Sequence, residues 1–399
     1  MNFKNIKINY LIWGTITFLI IILPFVVSDS RLKIIGKSLS LGIVALGIDL
    51  SWGYTGLLSL GQGIFFTLGG YAIAMYLQLN SSSDGLPQFF SLYDVENLPF
   101  FWEPFKSPYF TFFAIWIIPA LLACILGFLV FRNRIKGVYF SILTQAALLV
   151  FYNGINSQQK LINGTNGLPT PNTELFGYLV GDPLTQKFFF YTSAILLTLS
   201  YLFCRWLVKK RFGKILIAIR DDEARVRFSG YNPVIFKTII FTIAGLLAGI
   251  SGALFTVQAD LISPQYLLPP FSIEMVIWVA VGGRGTLIGA VFGAIFVRLF
   301  ASIISSAIPG AWLFIQGGLF ILVVTVLPQG IIGWIYEGGP SSLLIDTCLK
   351  LDKIEKKFLF LPIPVKNLIR ILVRKGLMYS KKSETYPRLE LSGNEEVKL

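Results

Sequence analysis

The sequence has no histidine, and its three cysteines, Cys124, Cys204 and Cys348, stand far apart with no C-x-x-C spacing. Imidazole-based catalysis, zinc sites of the usual His/Cys type and a disulfide framework are therefore not expected. Charge is scarce as well: Asp, Glu, Lys and Arg make up 14% of the chain against 54% hydrophobic residues. Gly36-Lys37-Ser38 looks like the end of a phosphate-binding loop, but the glycine required five positions earlier is replaced by Arg31. No cofactor, ATP included, is expected to bind this chain itself. No nucleophile–base pair at catalytic spacing stands out, so an enzyme is not expected either.

What the sequence has in abundance is apolar residues in long runs. Aromatic residues reach 15% and the mean hydropathy is +0.70. Runs of about 20 residues are long enough to cross a bilayer, and the Pro and Gly scattered inside them suit helices rather than a barrel. The expected fold class is all-α: a polytopic integral membrane protein with about 8–10 transmembrane helices, some of them discontinuous. Spans are expected at 10–28, 34–53, 56–79, 109–131, 135–155, 188–208, 236–257, 271–283, 286–307 and 312–335. The first follows Lys4 and Lys7 and resembles a signal peptide, but it lacks a clear small-residue cleavage site and is read as a helix. Segment 56–79 is Gly-rich and suits a broken helix; 271–283 is too short to cross unless residues before Pro269 and Pro270 help.

The net charge of +13 would suit nucleic acid, but the charges lie in short loops and in the C-terminal tail, where membrane orientation explains them more simply. Arg132, Arg134 and Lys136, the stretch 205–237, Arg284 and the tail mark the cytoplasmic side, with loops 80–107 and 156–187 opposite. Both termini are then cytoplasmic. Arg31, Lys33 and Lys37 fall on the outer side, against the rule. Residues 1–336 are expected to form the membrane domain and 337–399 a basic cytoplasmic tail. Within the tail, Val365, Leu368, Ile369 and Leu372 recur at helical spacing. That pattern suits either a short helix on an anionic membrane surface or a solvated tail with no specific role.

Glycine is patterned too. Gly245 and Gly249, and then Gly285, Gly289 and Gly293, recur every fourth residue, so each set is expected on one helical face where backbones approach closely. A sharper reading makes "SLGQGIFFTLGG", with Gly61 and Gly63, and "VAVGGRGTLIGAVFGA", with Gly282 and Gly283, corresponding interrupted helices that handle a polar solute. Polar groups at membrane depth are costly and so are functional candidates. Asp49, Gln62, Gln145 and Glu274 are the candidates for a substrate pathway, and Arg298 for pairing with an acid or lying near an interface. Interhelical hydrogen bonding accounts for each of them equally well.

Three segments carry a resemblance: "GYTGLLSLGQGIFFTLGGYAIAMYL" (53–77), "GKILIAIRDDEARVRFSGYNPVIFKTIIFTIAGLLAGISGALF" (213–255) and "VGGRGTLIGAVFGAIF" (281–296). In order and spacing, from about residue 35 to 335, they resemble the LivM-type permeases of branched-chain amino acid ABC importers. "SIEMVIWVAVGGRGTLIGA" (272–290) and "NGTNGL" (163–168) look most like the urea-transporting UrtC branch of that family. The resemblance implies a bacterial inner-membrane permease subunit. Its implied partners are a second, LivH-type permease, two cytoplasmic ATPase subunits that hold ATP and magnesium, and a periplasmic solute-binding protein.

It also implies a role for the charged stretch 209–235. Asp222, Glu223, Ala224, Arg225 and Gly230 resemble the loop by which such permeases dock on their ATPases, whose familiar form is E-A-A-x-x-x-G. Here Arg225 replaces the second Ala and the Glu-to-Gly interval is one residue longer. Lys209, Lys210 and Arg211 suit topology alone; Asp221, Asp222 and Glu223 are not needed for it. Urea, small and neutral, is the expected solute, and a branched-chain amino acid the alternative, since Asp49 and Glu274 could meet an ammonium. An ion-coupled carrier and a structural or lipid-handling protein are further alternatives. Gene neighbours encoding ATPases and a binding protein would exclude both.

Overall fold

The computed structural model describes residues 22–336, apart from 83–84, 309 and 327–329. Most of the expected span 10–28, Cys348 and the tail after residue 336 lie outside the described residues. The chain divides into two units, 1–331 and 332–399. All the helices and strands labelled below belong to the first.

Helix α1 (Asp29–Ile48) continues into a π-helical turn (Asp49–Gly53) and breaks; α2 (Gln62–Ser81) follows. Then come α3 (Pro108–Arg132), α4 (Val138–Ser157), α5 (Pro183–Lys209), α6 (Arg211–Asp221), α7 (Glu223–Phe228), α8 (Pro233–Ala259), α9 (Pro269–Gly282), α10 (Leu287–Ala307) and α11 (Ala311–Val326). Proline opens α3, α5, α8 and α9, where its missing N–H costs no intrahelical bond. Among the described residues six helices are long and apolar enough to cross a membrane: α1 with its π turn, α3, α4, α5, α8 and α10. Their outward faces carry large apolar side chains, such as Ile142 and Val150 on α4 and Ile288 and Ile303 on α10. A bilayer covers such surface at no cost in unsatisfied backbone. The chain is an all-α polytopic membrane protein.

The expected spans differ in detail. Segment 56–79 becomes helical only at Gln62, 271–283 is the 14-residue helix α9, and within 312–335 the described residues are helical over Ala311–Val326 and Gly330–Tyr336.

Helix α8 is central, packed on α1, α2 and α3. Glycine permits this. A methyl group on Gly245 would come within 2.5 Å of Ala123 Cβ, and one on Gly249 within 2.5 Å of Pro119 Cγ. Pro119 has no N–H to give Ile115 O, and Gly249 lies against that carbonyl. Edge-on rings of Phe65, Phe131 and Phe140 surround Phe241. A polar knot joins α1, α5 and α8: Gln258 Nε2 donates to Ser193 Oγ (2.7 Å) and Ser40 Oγ (3.1 Å), and Ser251 Oγ to Ser40 O (2.7 Å). Such bonds hold helices together inside a bilayer, where apolar contact gains little because lipid tails are as apolar as the helices.

The second glycine set needs correction. Gly289 and Gly293 lie on α10 facing the end of α9, but Gly285 precedes the helix, in the connecting loop, with φ +78°. The i, i+4 spacing continues through a turn that is not helical.

At one end of the bundle lie two small antiparallel pairs. β1 (Leu168–Pro169) pairs with β4 (Leu261–Ile262), and β2 (Glu174–Leu175) with β3 (Tyr178–Leu179). The segment NGTNGL forms the turn leading into β1: Asn163 is left-handed, its Nδ2 donates to Gly167 O (2.7 Å), and Gly167 packs on Ser263. Lys33 pairs with Asp260 (2.7 Å) at this end, which gives that basic residue a local partner. Helices α6 and α7 lie at the opposite end.

Candidate coupling site and pathway

The two interrupted segments meet. Asp49, fully buried in the π turn, accepts a hydrogen bond at Oδ1 from Gly285 N (2.6 Å), in the loop between α9 and α10. Gly53 closes the turn so tightly that a side chain there would strike Asp49 Oδ1 and Gly285. π-helical turns are rare and concentrate at functional sites. Arg284 lies over the Trp52 ring, 5.4 Å from its centre.

Beyond the break, α2 starts at Gln62, and Gly63 is held against Tyr266 O and Ser272 Oγ by the same lack of room. Gln62 is buried with neither amide atom hydrogen-bonded, and Ser272 Oγ is likewise without a partner. Gly61, the N-cap of α2, presses on Thr144 O. The Gln62 amide at the N-terminal turn of a helix and the free hydroxyl of Ser272 against the next residue, Gly63, offer both donors and acceptors in an apolar interior.

The remaining pathway candidates separate. Glu274 is paired with Arg298 Nη1 (3.3 Å), which ties α9 to α10. Gln145 is half-buried on α4. Asp49 and Gln62 sit at the two ends of one break, residues 54–61 between them. Gly282 and Gly283 end α9, where Gly282 and Gly293 are in backbone contact.

The charged stretch folds as two short helices at an angle. Asp222 caps α7, its Oδ1 accepting from Ala224 N (3.0 Å) and Arg225 N (3.1 Å). Gly230, with φ +85°, follows the helix end and reverses the chain, a conformation that disfavours any Cβ. Glu223 is turned inward. Its carboxylate meets Arg227 (2.6 Å), Lys237 of α8 (2.7 Å) and Lys136 of the α3–α4 loop (3.1 Å). Burial alone would raise its pKa, but hydrogen bonds and charge from Lys237, Lys136 and Arg227 prevail and hold it at about 2. Its charge is thereby satisfied within the chain. The outward residues are Arg225, Tyr231 and above all Phe228, 93% exposed. Beside them a depression of about 440 Å³ is lined by Lys214, Ile215, Asp221, Asp222, Arg225 and Tyr231 among others.

Sequence reading missed Arg220, whose Nη1 donates to Gly53 O (2.8 Å), and the clamp lysines Lys136 and Lys237. Lys237 carried a signal, a lone charge five residues into an apolar helix. Arg220 carried none, because its acceptor is a backbone carbonyl 167 residues away.

Known proteins resemble this chain in sequence. The chain is similar to the high-affinity branched-chain amino acid transport system permease protein LivM of Escherichia coli K12, at 26% identity over 77% of this chain and 71% of the relative. It is similar to the probable branched-chain amino acid transport permease protein LivM of Methanocaldococcus jannaschii, at 24% identity over 61% and 72%. A more partial likeness, 24% identity over 43% and 54%, is to the ribose import permease protein RbsC of Escherichia coli K12. No solved structure matches. Residues 30–324, most of the bundle and both interrupted segments, match the family model described as branched-chain amino acid transport system / permease component, and the chain belongs to that family.

Proposed function

We propose that this chain is the membrane-spanning permease subunit of an ABC importer, driven by separate ATPase subunits that dock on α6–α7. The single observation behind the docking is Phe228: a nearly fully exposed aromatic ring, outside the spans, on a helix whose other face is fixed by Glu223. Phe228, with Tyr231 also exposed near it, supplies an aromatic anchor of the kind that protein interfaces use. The end that carries Arg132, Arg134, Lys136 and α6–α7 is then cytoplasmic by the distribution of positive charge, and both termini with it. A second, LivH-type permease and a periplasmic binding protein complete the assembly, and ATP and magnesium stay on the partner chains.

Urea is the proposed solute. The residues 272–290 and 163–168 resemble the urea branch, and the local chemistry favours a neutral solute over a zwitterion. Gln62 and Ser272 have uncommitted neutral hydrogen-bonding groups, whereas Glu274 is neutralised by Arg298. A branched-chain amino acid is the second reading, favoured by the names of the LivM relatives. The NGTNGL segment weighs less than its sequence suggests, since Asn163 and Gly167 are accounted for by the turn they form.

Reconstitution of the complete assembly in vesicles tests both levels. ATP-dependent accumulation of labelled urea is expected, with no hydrolysis by the purified chain alone. Accumulation of leucine with urea ignored would replace the solute and keep the family role. Transport by the isolated chain would overturn the reading.

A further inference from the structure

We infer that Arg220 is the positioning residue through which the docking segment acts on the interrupted helices. The inference rests on the docking reading above and adds the internal route that it lacks.

The segment α6–α7 is attached to the bundle in two different ways. At Glu223 three cations from α7 itself, α8 and the α3–α4 loop converge on one carboxylate. Charged contacts to the central helix α8 and to the α3–α4 loop make this a fixed point. At Arg220 the attachment is a charge-assisted hydrogen bond to Gly53 O, and the aliphatic stem of Arg220 lies beside Gly56, where an added methyl group would sit 3.2 Å from its Cγ. Gly53 ends the π turn and Gly56, with φ +73°, lies in the break that follows it.

What Arg220 grips is itself wedged. Around Gly53, the amide of Gly56 donates to Trp52 O and that of Leu57 to Ser51 O. On its other side Gly53 touches Gly285, whose N–H is held by Asp49. Gly283 (φ +131°) and Gly285 (φ +78°) form the loop that ends α9 and starts α10. A displacement of Arg220 therefore pulls Gly53 O, and Gly53 cannot shift without disturbing the Asp49–Gly285 bond. Both breaks, one leading to Gln62 and the other closing the α9–α10 pair, are reached from a single guanidinium. With Glu223 as the fixed point, tilting of α6–α7 on its partner becomes a movement at the contact of the two breaks.

The experiment uses the complete reconstituted assembly, with labelled urea and leucine as separate probes. Arg220→Met keeps the length of the side chain and removes the donor; Arg220→Lys keeps a charged donor. For Arg220→Met the ATPases are expected to stay bound and to hydrolyse ATP. Uptake of the transported probe per ATP should fall by about tenfold, within the range of a coupling free energy between two sites. Arg220→Lys should recover much of it. Unchanged uptake per ATP in Arg220→Met would overturn the inference. So would loss of ATPase association, which would make Arg220 a docking residue, and so would a lysine variant as defective as the methionine one. Phe228→Glu tests the docking reading separately: loss of ATPase association is expected, and full association with normal uptake would overturn that reading and the inference built on it.

Discussion

Replacing Glu223 by Gln removes the charge on which Lys136, Arg227 and Lys237 converge, and the structure sets the size of the effect. Its carboxyl pKa is lowered from 4.5 to about 2, and at about 1.4 kcal/mol per pH unit the ceiling is about 3 kcal/mol. Lys136 is 54% exposed and Arg227 30%, so solvent screening brings the expected loss to about 1–2 kcal/mol. The loss concerns local opening of 211–230 rather than the whole bundle, since the spans keep their own packing. Limited trypsin digestion in detergent at Arg225 and Arg227 measures it, and cleavage should rise by about 5–30-fold. A group whose folded pKa is depressed stabilises above its unfolded value. Protection in the parent chain should therefore be full above about pH 4.5 and decline as pH falls toward 2, read by hydrogen exchange of α7. The Gln variant should lack that dependence. Lys237, buried at 7% exposure, is left without its carboxylate, so Lys237→Met in the Gln background should return part of the loss. Cleavage unchanged in Glu223→Gln, with no coupling to Lys237→Met, would refute the clamp and return Glu223 to a contact with a partner.

Arg298→Met should destabilise the detergent-solubilised chain by about 3–5 kcal/mol, because it strands a buried carboxylate, and Glu274→Gln with Arg298→Met should recover most of it. Equal thermal stability of the single and double variants would refute the pair. Gly249→Val should lower the melting temperature by forcing α8 from Pro119 and Ile115 O, a cost of about 1–3 kcal/mol; an unchanged melting temperature would show that the helices can part freely. Asp49→Asn keeps an acceptor for Gly285 N and should transport nearly as well as the parent, whereas Asp49→Leu leaves that amide unpaired at about 1–3 kcal/mol and should not. An Asn variant as inactive as the Leu one would mean that transport needs the negative charge itself.

Much of this was legible because the bilayer imposes its own length and composition. Runs such as 109–131 and 236–257 admit one reading, a spanning helix, whatever their neighbours do. The breaks were legible from local chemistry as well: Gly61 before Gln62 and Gly282-Gly283 after Val281 weaken helix where it ends, and a short run after Pro269-Pro270 cannot cross. Gly230 ends its helix for the same local reason. Periodicity misled at Gly285, since an i, i+4 pattern persists through a loop as readily as through a helix. Partnership is where sequence ran out. In the sequence Glu223 is one of several adjacent charges, and only the approach of α8 and the α3–α4 loop gave it its partners. Glu274 became half of an ion pair when α9 folded back on α10. The Gly53 carbonyl became an anchor for Arg220 through contacts that no spacing encodes, because a backbone acceptor looks the same at every residue. The membrane span and its interruptions are local properties of the chain; which charge meets which is decided by the packing of helices far apart along it.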